Sequence, residues 1–108
     1  MLAYAANGDL MITYEEAKAK VEKLINKPDP HLADKPTLVV LDSQTIEKEW
    51  GWVFFYQSLE FIESGDFADM LAGNAPYIVN RKTGELVVTG TALPIDEYIS
   101  KYEMSLDN

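Results

Sequence analysis

Apolar residues recur at helical spacing early in the chain, and this segment opens with the composition of a helix N-terminus. Thr13 is suited to cap the backbone, and Glu16, three residues later, completes a capping box. The predicted buried face consists of Ala17, Val21, Leu24 and Ile25. Because Pro28 and Pro30 follow, and the residue before a proline avoids helical dihedral angles, the helix is expected to end near Asn26.

Two segments rich in β-branched and aromatic residues predict strands after a polar connector. The first starts at residues 38–41 and continues to Ile46, and the charged residues 47–49 are interpreted as a turn. The second covers residues 50–56, where one face carries Trp52, Phe54 and Tyr56 and the other carries Val53 and Phe55. Because both faces are apolar, this segment is expected to be a central strand that is covered on both sides.

The second half of the chain predicts a crossover, a hairpin and a last helix. Residues 60–75 carry two short apolar patches among glycines, which favours a crossover with a helical turn or two. Residues 77–79 and 86–88 flank a polar turn of hairpin composition. The last helix has Pro94 in its first turn, and its apolar stripe is formed by Ile95, Tyr98, Ile99 and Tyr102.

This order of elements, with short links between the strands, predicts an α+β fold: an antiparallel sheet of about four strands with an N-terminal and a C-terminal helix packed against it. A chain of 108 residues has room for one hydrophobic core. We interpret residues 12–108 as a single domain and residues 1–11 as an N-terminal extension. The lack of cysteine, of a signal-peptide pattern and of any apolar run near the ~20 residues of a membrane span indicates a cytoplasmic protein.

The formal net charge is −9, from 18 acidic and 9 basic side chains. Such a surface repels phosphate backbones, and the lysines of the first helix are interleaved with glutamates, so nucleic-acid binding is not expected. A strongly negative domain is suited to steering toward a basic partner. Solubility alone explains the same charge, and both interpretations stay open at this point.

Motifs for catalysis are weak in this sequence. His31, the single histidine, lies in a proline-rich connector without a serine or cysteine partner nearby, and we interpret it as an exposed loop residue. Lys82, Thr83 and Gly84 match a tripeptide of serine β-lactamases, but no Ser-x-x-Lys motif accompanies them, so they are expected to form the hairpin turn. Calcium-loop spacing and glycine-rich phosphate loops are also missing, which predicts a protein without catalytic residues, metal or cofactor.

Two groups of residues are the predicted partner contacts. The first is a run of carboxylates at every third position, Glu60, Glu63, Asp66 and Asp69. Three interpretations fit this spacing: a solvated acidic ridge, a ridge that binds a partner, and a metal or catalytic site. The second group is Trp50 at the predicted turn with Glu47 and Glu49, because tryptophan is over-represented among the dominant contacts of interfaces.

Several segments taken together resemble one family. They are residues 12–17 (ITYEEA), 50–56 (WGWVFFY), 71–79 (LAGNAPYIV), 83–85 (TGE), 90–92 (GTA) and 94–98 (PIDEY). In this order they are similar to the YrhB-like domain, also called the immunity protein 35 family, and the likeness covers residues 12–103. The segment before Met11 and the proline-rich connector depart from the short family members and inherit nothing from them.

The resemblance implies a bacterial cytoplasmic protein that is encoded beside a polymorphic toxin and neutralises this toxin by tight binding. It implies neither an enzymatic activity nor a cofactor. The expected partner is therefore a cognate protein toxin with a basic contact surface, rather than a nucleic acid or a membrane. One enterobacterial relative is described as chaperone-like, so a holdase that keeps client proteins soluble is the alternative hypothesis. The oligomeric state does not follow from the sequence.

Overall fold

The computed structural model describes residues 3–4, 10–28, 36–71 and 73–106, so His31 lies outside the described residues. The helices in these ranges are α1 (Tyr14–Ile25), α2 (Leu59–Ser64) and α3 (Ile95–Leu106). The strands are β1 (Ala3–Tyr4), β2 (Leu10–Met11), β3 (Leu38–Val40), β4 (Ile46–Lys48), β5 (Gly51–Phe54), β6 (Tyr56–Ser58), β7 (Tyr77–Asn80) and β8 (Leu86–Val88). None of the described helices is both long and apolar enough to span a bilayer.

A four-stranded antiparallel sheet in the order β4-β5-β7-β8 forms the centre of the fold. β5 lies between β4 and β7, with Trp52 opposite Val79 and Val53 opposite Ile78. Residues of α1 pack on one face of this sheet, and residues of α3 pack on the other. The predicted α+β fold with an aromatic central strand and two flanking helices is therefore confirmed.

Each face of the sheet has its own core, because successive side chains of a strand point to opposite faces. The buried residues on the α1 side are Ala17, Val21, Ile25, Leu38, Val40, Trp52, Phe54, Tyr56 and Val79. Those on the α3 side are Val53, Ile78, Ile99 and Tyr102. Leu24, which was predicted to be buried, is 41% exposed, because the buried stripe of α1 runs through positions four apart and Leu24 lies beside it.

Polar side chains hold both ends of α1. The predicted capping box is present: Thr13 Oγ1 accepts a hydrogen bond from Glu16 N at 3.1 Å, and Glu16 Oε1 accepts one from Thr13 N at 3.0 Å. At the C-terminus, the Asn26 amide donates to Leu38 O at 2.7 Å and accepts from Leu38 N at 2.8 Å. These two bonds join the end of α1 to the first residue of β3.

The predicted strand over residues 38–46 and the predicted turn at 47–49 are wrong in their boundaries. β3 ends at Val40, a 3-10 turn covers Asp42–Gln44, and Glu47 and Lys48 belong to β4. The cause is the choice of pairing partner: β3 pairs with β6, whereas β4 pairs with β5, so the chain leaves one ladder before it joins the next. The segment 50–56 is divided between β5 and β6 for the same reason.

The crossover and the hairpin follow the prediction. α2 and a 3-10 turn at Phe67–Asp69 form the crossover, and β7 and β8 form the antiparallel hairpin. Gly84 has φ +75°, a left-handed conformation that glycine adopts readily. Asn80 Oδ1 accepts hydrogen bonds from Lys82 N and Thr83 N, so the tripeptide that ends at Gly84 forms the turn of this hairpin.

Candidate protein-binding surface

The predicted contacts lie in two groups, one before and one after the extended segment 51–58, which contains the consecutive strands β5 and β6. Glu47 lies on β4 opposite Trp52, and Glu49 and Trp50 form the turn before Gly51, the first residue of β5. The carboxylates of the second group follow Ser58, the last residue of β6. Since a strand extends by about 3.3 Å per residue, the length of the segment 51–58 separates the two groups. The structure does not bring them together.

Trp50 is engaged by α3. Its Nε1 donates a hydrogen bond to Glu103 Oε2 at 3.0 Å, and its ring centroid lies 4.7 Å from that of Tyr102. The side chain is half-buried by these contacts. Trp50 therefore supports the packing of α3 on the sheet, and a role in binding a partner stays a prediction.

Glu47 lies at the rim of a cleft of about 430 Å³ beside the N-terminus of α1. Arg81 lines the same cleft, and its Nη2 donates to Glu47 Oε2 at 3.1 Å and to Lys48 O at 2.8 Å. The guanidinium carbon also lies 4.6 Å from the centre of the Trp52 ring. The positive charge in this cleft is thus paired with a carboxylate and placed over an aromatic face.

A second ion pair borders the same cleft. Lys18 Nζ lies 2.9 Å from Asp42 Oδ2, and the Tyr14 hydroxyl donates to Asp42 Oδ1 at 2.5 Å. The hydrogen bonds from Tyr14 and Lys18 hold the pKa of Asp42 below its usual value, so this exposed carboxylate is ionised at neutral pH. An ionised and already hydrogen-bonded carboxylate is unsuited to act as a general acid. In the described part of the chain, no acidic or histidine cluster has the arrangement of a metal site.

The second group of predicted contacts lies on a segment with exposed apolar side chains. We call residues 59–70, which comprise α2 and the 3-10 turn after it, the crossover surface. Its exposed large apolar side chains are Leu59 (37% exposed), Ile62 (46%), Phe67 (79%) and Met70 (44%). The four predicted carboxylates are exposed on the same segment. The sequence contains no lysine or arginine between Lys48 and Arg81, so the charge of this surface is entirely negative.

Side-chain hydrogen bonds connect the two parts of the crossover surface. Ser58 Oγ caps α2 and donates to Asp69 O at 2.5 Å, which joins the start of the helix to the 3-10 turn. Asp66 Oδ1 accepts from Ala68 N at 2.9 Å, and Asp69 Oδ2 accepts from Ser64 Oγ at 2.8 Å. Two of the predicted contact residues therefore also shape the turn that carries them.

The end of the crossover is fastened to β6 by side-chain amides and a phenol. The Gln57 amide accepts from Leu71 N at 2.5 Å and donates to Leu71 O at 3.3 Å. Asn74 Nδ2 donates to Tyr56 O at 2.6 Å, and the Tyr56 hydroxyl donates to Ala75 O at 2.9 Å. Burial raises the pKa of Tyr56 to about 12, so this phenol keeps its proton and its hydrogen bond at neutral pH.

Comparison with known proteins identifies the family. The model of the family described as immunity protein 35 matches residues 15–103, which include both cores, the crossover surface and every predicted contact. The chain belongs to the immunity protein 35 family. The resemblance seen in the sequence segments above is thereby confirmed.

Immunity protein 35 relatives include a curated bacterial protein. The Escherichia coli K12 protein described as "Uncharacterized protein YrhB" is 39% identical over 94 residues, which cover 87% of this chain and 92% of that protein. No solved structure matches the chain significantly.

The apolar half of the crossover surface was not among the predicted contacts. Ile62, Phe67 and Met70 were placed in the crossover, but their exposure was not predicted. The shortness of the predicted crossover is the sequence signal for this exposure. A helix of one or two turns offers too little surface to bury all of its apolar side chains against the rest of the fold. Ile62, Phe67 and Met70 are left facing solvent there.

Proposed function

We propose that this protein acts in the cytoplasm by binding a cognate bacterial toxin and occluding its active site, without a reaction of its own. Membership of the immunity protein 35 family supports a protective role. The crossover surface is proposed as the docking face because its exposed apolar side chains lie among carboxylates, and residues 59–70 contain no lysine or arginine. Interfaces combine an apolar centre with a polar rim in the same way.

The negative charge gives the proposed complex its partner preference. A net charge of −9 attracts a basic protein at long range and raises the rate of encounter. A toxin with lysine or arginine around its active site fits the crossover surface best. The carboxylates of this surface would pair with those basic residues and keep the toxin's substrate away from them. Glu47, Glu49 and Trp50 are proposed as outlying contacts of a toxin large enough to reach the other end of the segment 51–58.

Co-expression tests the proposed function directly. A toxin domain encoded by a neighbouring reading frame, as the family resemblance implies, is expressed in a bacterial host with and without this protein, and growth is followed. We expect growth to be restored, and the purified pair to form a complex with a dissociation constant in the nanomolar range or below. Broad suppression of aggregation of unrelated clients at stoichiometric amounts, without protection, would instead support a holdase.

Removing the charge of the crossover surface is expected to slow association with the toxin. The variant combines Glu60→Gln, Glu63→Gln, Asp66→Asn and Asp69→Asn, whose amide oxygens still accept the hydrogen bonds of the 3-10 turn. Because steering depends on local charge, the association rate at low ionic strength should fall about 10-fold, and its salt dependence should weaken. Stopped-flow or surface-binding kinetics at several salt concentrations measure both.

A control variant carries the same change of net charge on other exposed positions. It combines Glu15→Gln, Glu85→Gln, Asp96→Asn and Glu97→Gln. Each variant raises the net charge from −9 to −5, since four negative charges are removed. Equal slowing in both variants would mean that total charge steers the toxin and that the crossover surface is not the docking face.

A further inference from the structure

We infer that Phe67 is the anchor of the interface and that it inserts into an apolar pocket of the toxin whose rim carries lysine or arginine. This inference rests on the proposed function and specifies the chemistry of its contact. Phe67 is 79% exposed, the highest value among the exposed large apolar residues that the structure describes. Burying such a ring is favourable in proportion to the apolar area that leaves water. Within its own chain the Phe67 side chain is mostly left in water, so most of this favourable burial is still available to a partner.

The ring of Phe67 has one aromatic neighbour and stands on a capped turn. Its centroid lies 6.1 Å from that of the half-buried Phe61, which supports it from the side of α2. Its backbone belongs to the 3-10 turn that begins after Asp66, and the carboxylate of Asp66 caps this turn. Because the turn that carries the ring is already capped, its backbone loses less conformational entropy on binding than an unstructured loop would, and more of the gain from burial appears as affinity.

Charged residues on either side of the ring define the kind of partner. Asp66 immediately precedes Phe67 and Asp69 follows two residues later, and both are exposed. Among the described residues, no lysine or arginine pairs with either carboxylate. A pocket that accepts the ring must therefore bring these carboxylates against its own rim, where lysine or arginine side chains pair with them and neutral or acidic rims are disfavoured.

The same charges argue against the other occupants of an exposed apolar patch. Two copies of this chain that met through their crossover surfaces would bring together eight carboxylates, four from each copy. Like charges placed against each other at an interface are strongly unfavourable. An anionic membrane surface is repelled for the same reason. A basic protein partner is left as the occupant that satisfies both the ring and the carboxylates.

Truncating the anchor tests this inference with the full chain and the toxin domain encoded beside it. We expect Phe67→Ala to raise the dissociation constant at least about 30-fold, the fold-change of the usual threshold for a dominant interface residue. The loss should lie in the dissociation rate, with the association rate and its salt dependence unchanged. Phe67→Leu should recover part of the affinity, because leucine restores apolar volume. Val88→Ala is the matched control, since Val88 is 57% exposed on β8, an edge strand of the sheet.

The outcomes separate the anchor from the proposed function. If the wild-type protein binds and protects but Phe67→Ala binds equally well, the anchor is wrong and the proposed function stands. If the wild-type protein neither binds nor protects, the proposed function fails first, and the anchor fails with it. Sedimentation of the wild-type protein alone is expected to give a monomer. A dimer that Phe67→Ala dissociates would identify a second copy as the occupant and overturn the inference.

Discussion

Replacing Gly51 by alanine is expected to destabilise the protein by roughly 3 kcal/mol or more. Gly51 begins the central strand β5 with φ +154°, a conformation that side chains of L-residues rarely adopt. A Cβ added there would overlap the backbone carbonyl oxygen of Val79 on β7, and a strand in the middle of a sheet has no room to move away. Because small domains are stable by only about 5–15 kcal/mol, this loss would be a large part of the total.

Urea denaturation followed by tryptophan fluorescence measures the effect. Gly65→Ala is the matched control, because Gly65 also has a positive φ, +70°, but no atom lies within 4 Å of the added Cβ. The control should cost only about 1–2 kcal/mol, the conformational penalty of a left-handed residue. Similar losses in the two variants would show that the close approach of β5 to β7 does not constrain position 51.

Replacing Phe54 by alanine is expected to cost about 3–5 kcal/mol, the usual range for removing a buried aromatic ring. The Phe54 side chain is completely buried on the α1 side of the sheet. Its ring centroid lies 5.6 Å from that of Tyr14 and 6.3 Å from that of Trp52, so the substitution leaves a cavity between α1 and β5. Thermal unfolding monitored by circular dichroism and urea titration both report the change.

Phe67→Ala is the control for this second prediction, because it removes the same side chain from the surface. Its free energy of unfolding should change by about 0.5 kcal/mol or less, as is usual for substitutions at exposed positions. The two substitutions should therefore affect different quantities. Phe54→Ala should lower stability while the folded fraction still binds the toxin, and Phe67→Ala should weaken toxin binding while stability is unchanged. A large loss of stability in Phe67→Ala would mean that the ring packs within its own chain.

Elements that depend on neighbours in the sequence were predicted well. The capping box of Thr13 and Glu16 involves residues three positions apart, and the alternation of residues 52–56 follows from the pleat of any strand. The hairpin turn at Gly84 depends on the freedom of glycine at positive φ. In each case the physical cause acts over a few residues, so the pattern alone indicates the structure.

The division of strands was not predictable, because it depends on partners that are distant in the sequence. Val40 and Ile46 lie in one apolar run, yet β3 pairs with β6 and β4 pairs with β5. Leu24 was expected on the buried face of α1, but the stripe that packs on the sheet consists of Ala17, Val21 and Ile25, and Leu24 beside it is 41% exposed. Periodicity indicates which side chains are apolar, and only packing decides which of them are covered.

By itself the sequence determined the α+β class, the ends of α1, the central aromatic strand and the family resemblance, because these follow from local chemistry and from the order of segments. Only the tertiary structure decided that Trp50 is held by Glu103 and that Phe67 is exposed among carboxylates. The physical reason is that exposure is a property of the whole fold: a side chain is covered or left open by elements that its own neighbours in the chain do not specify.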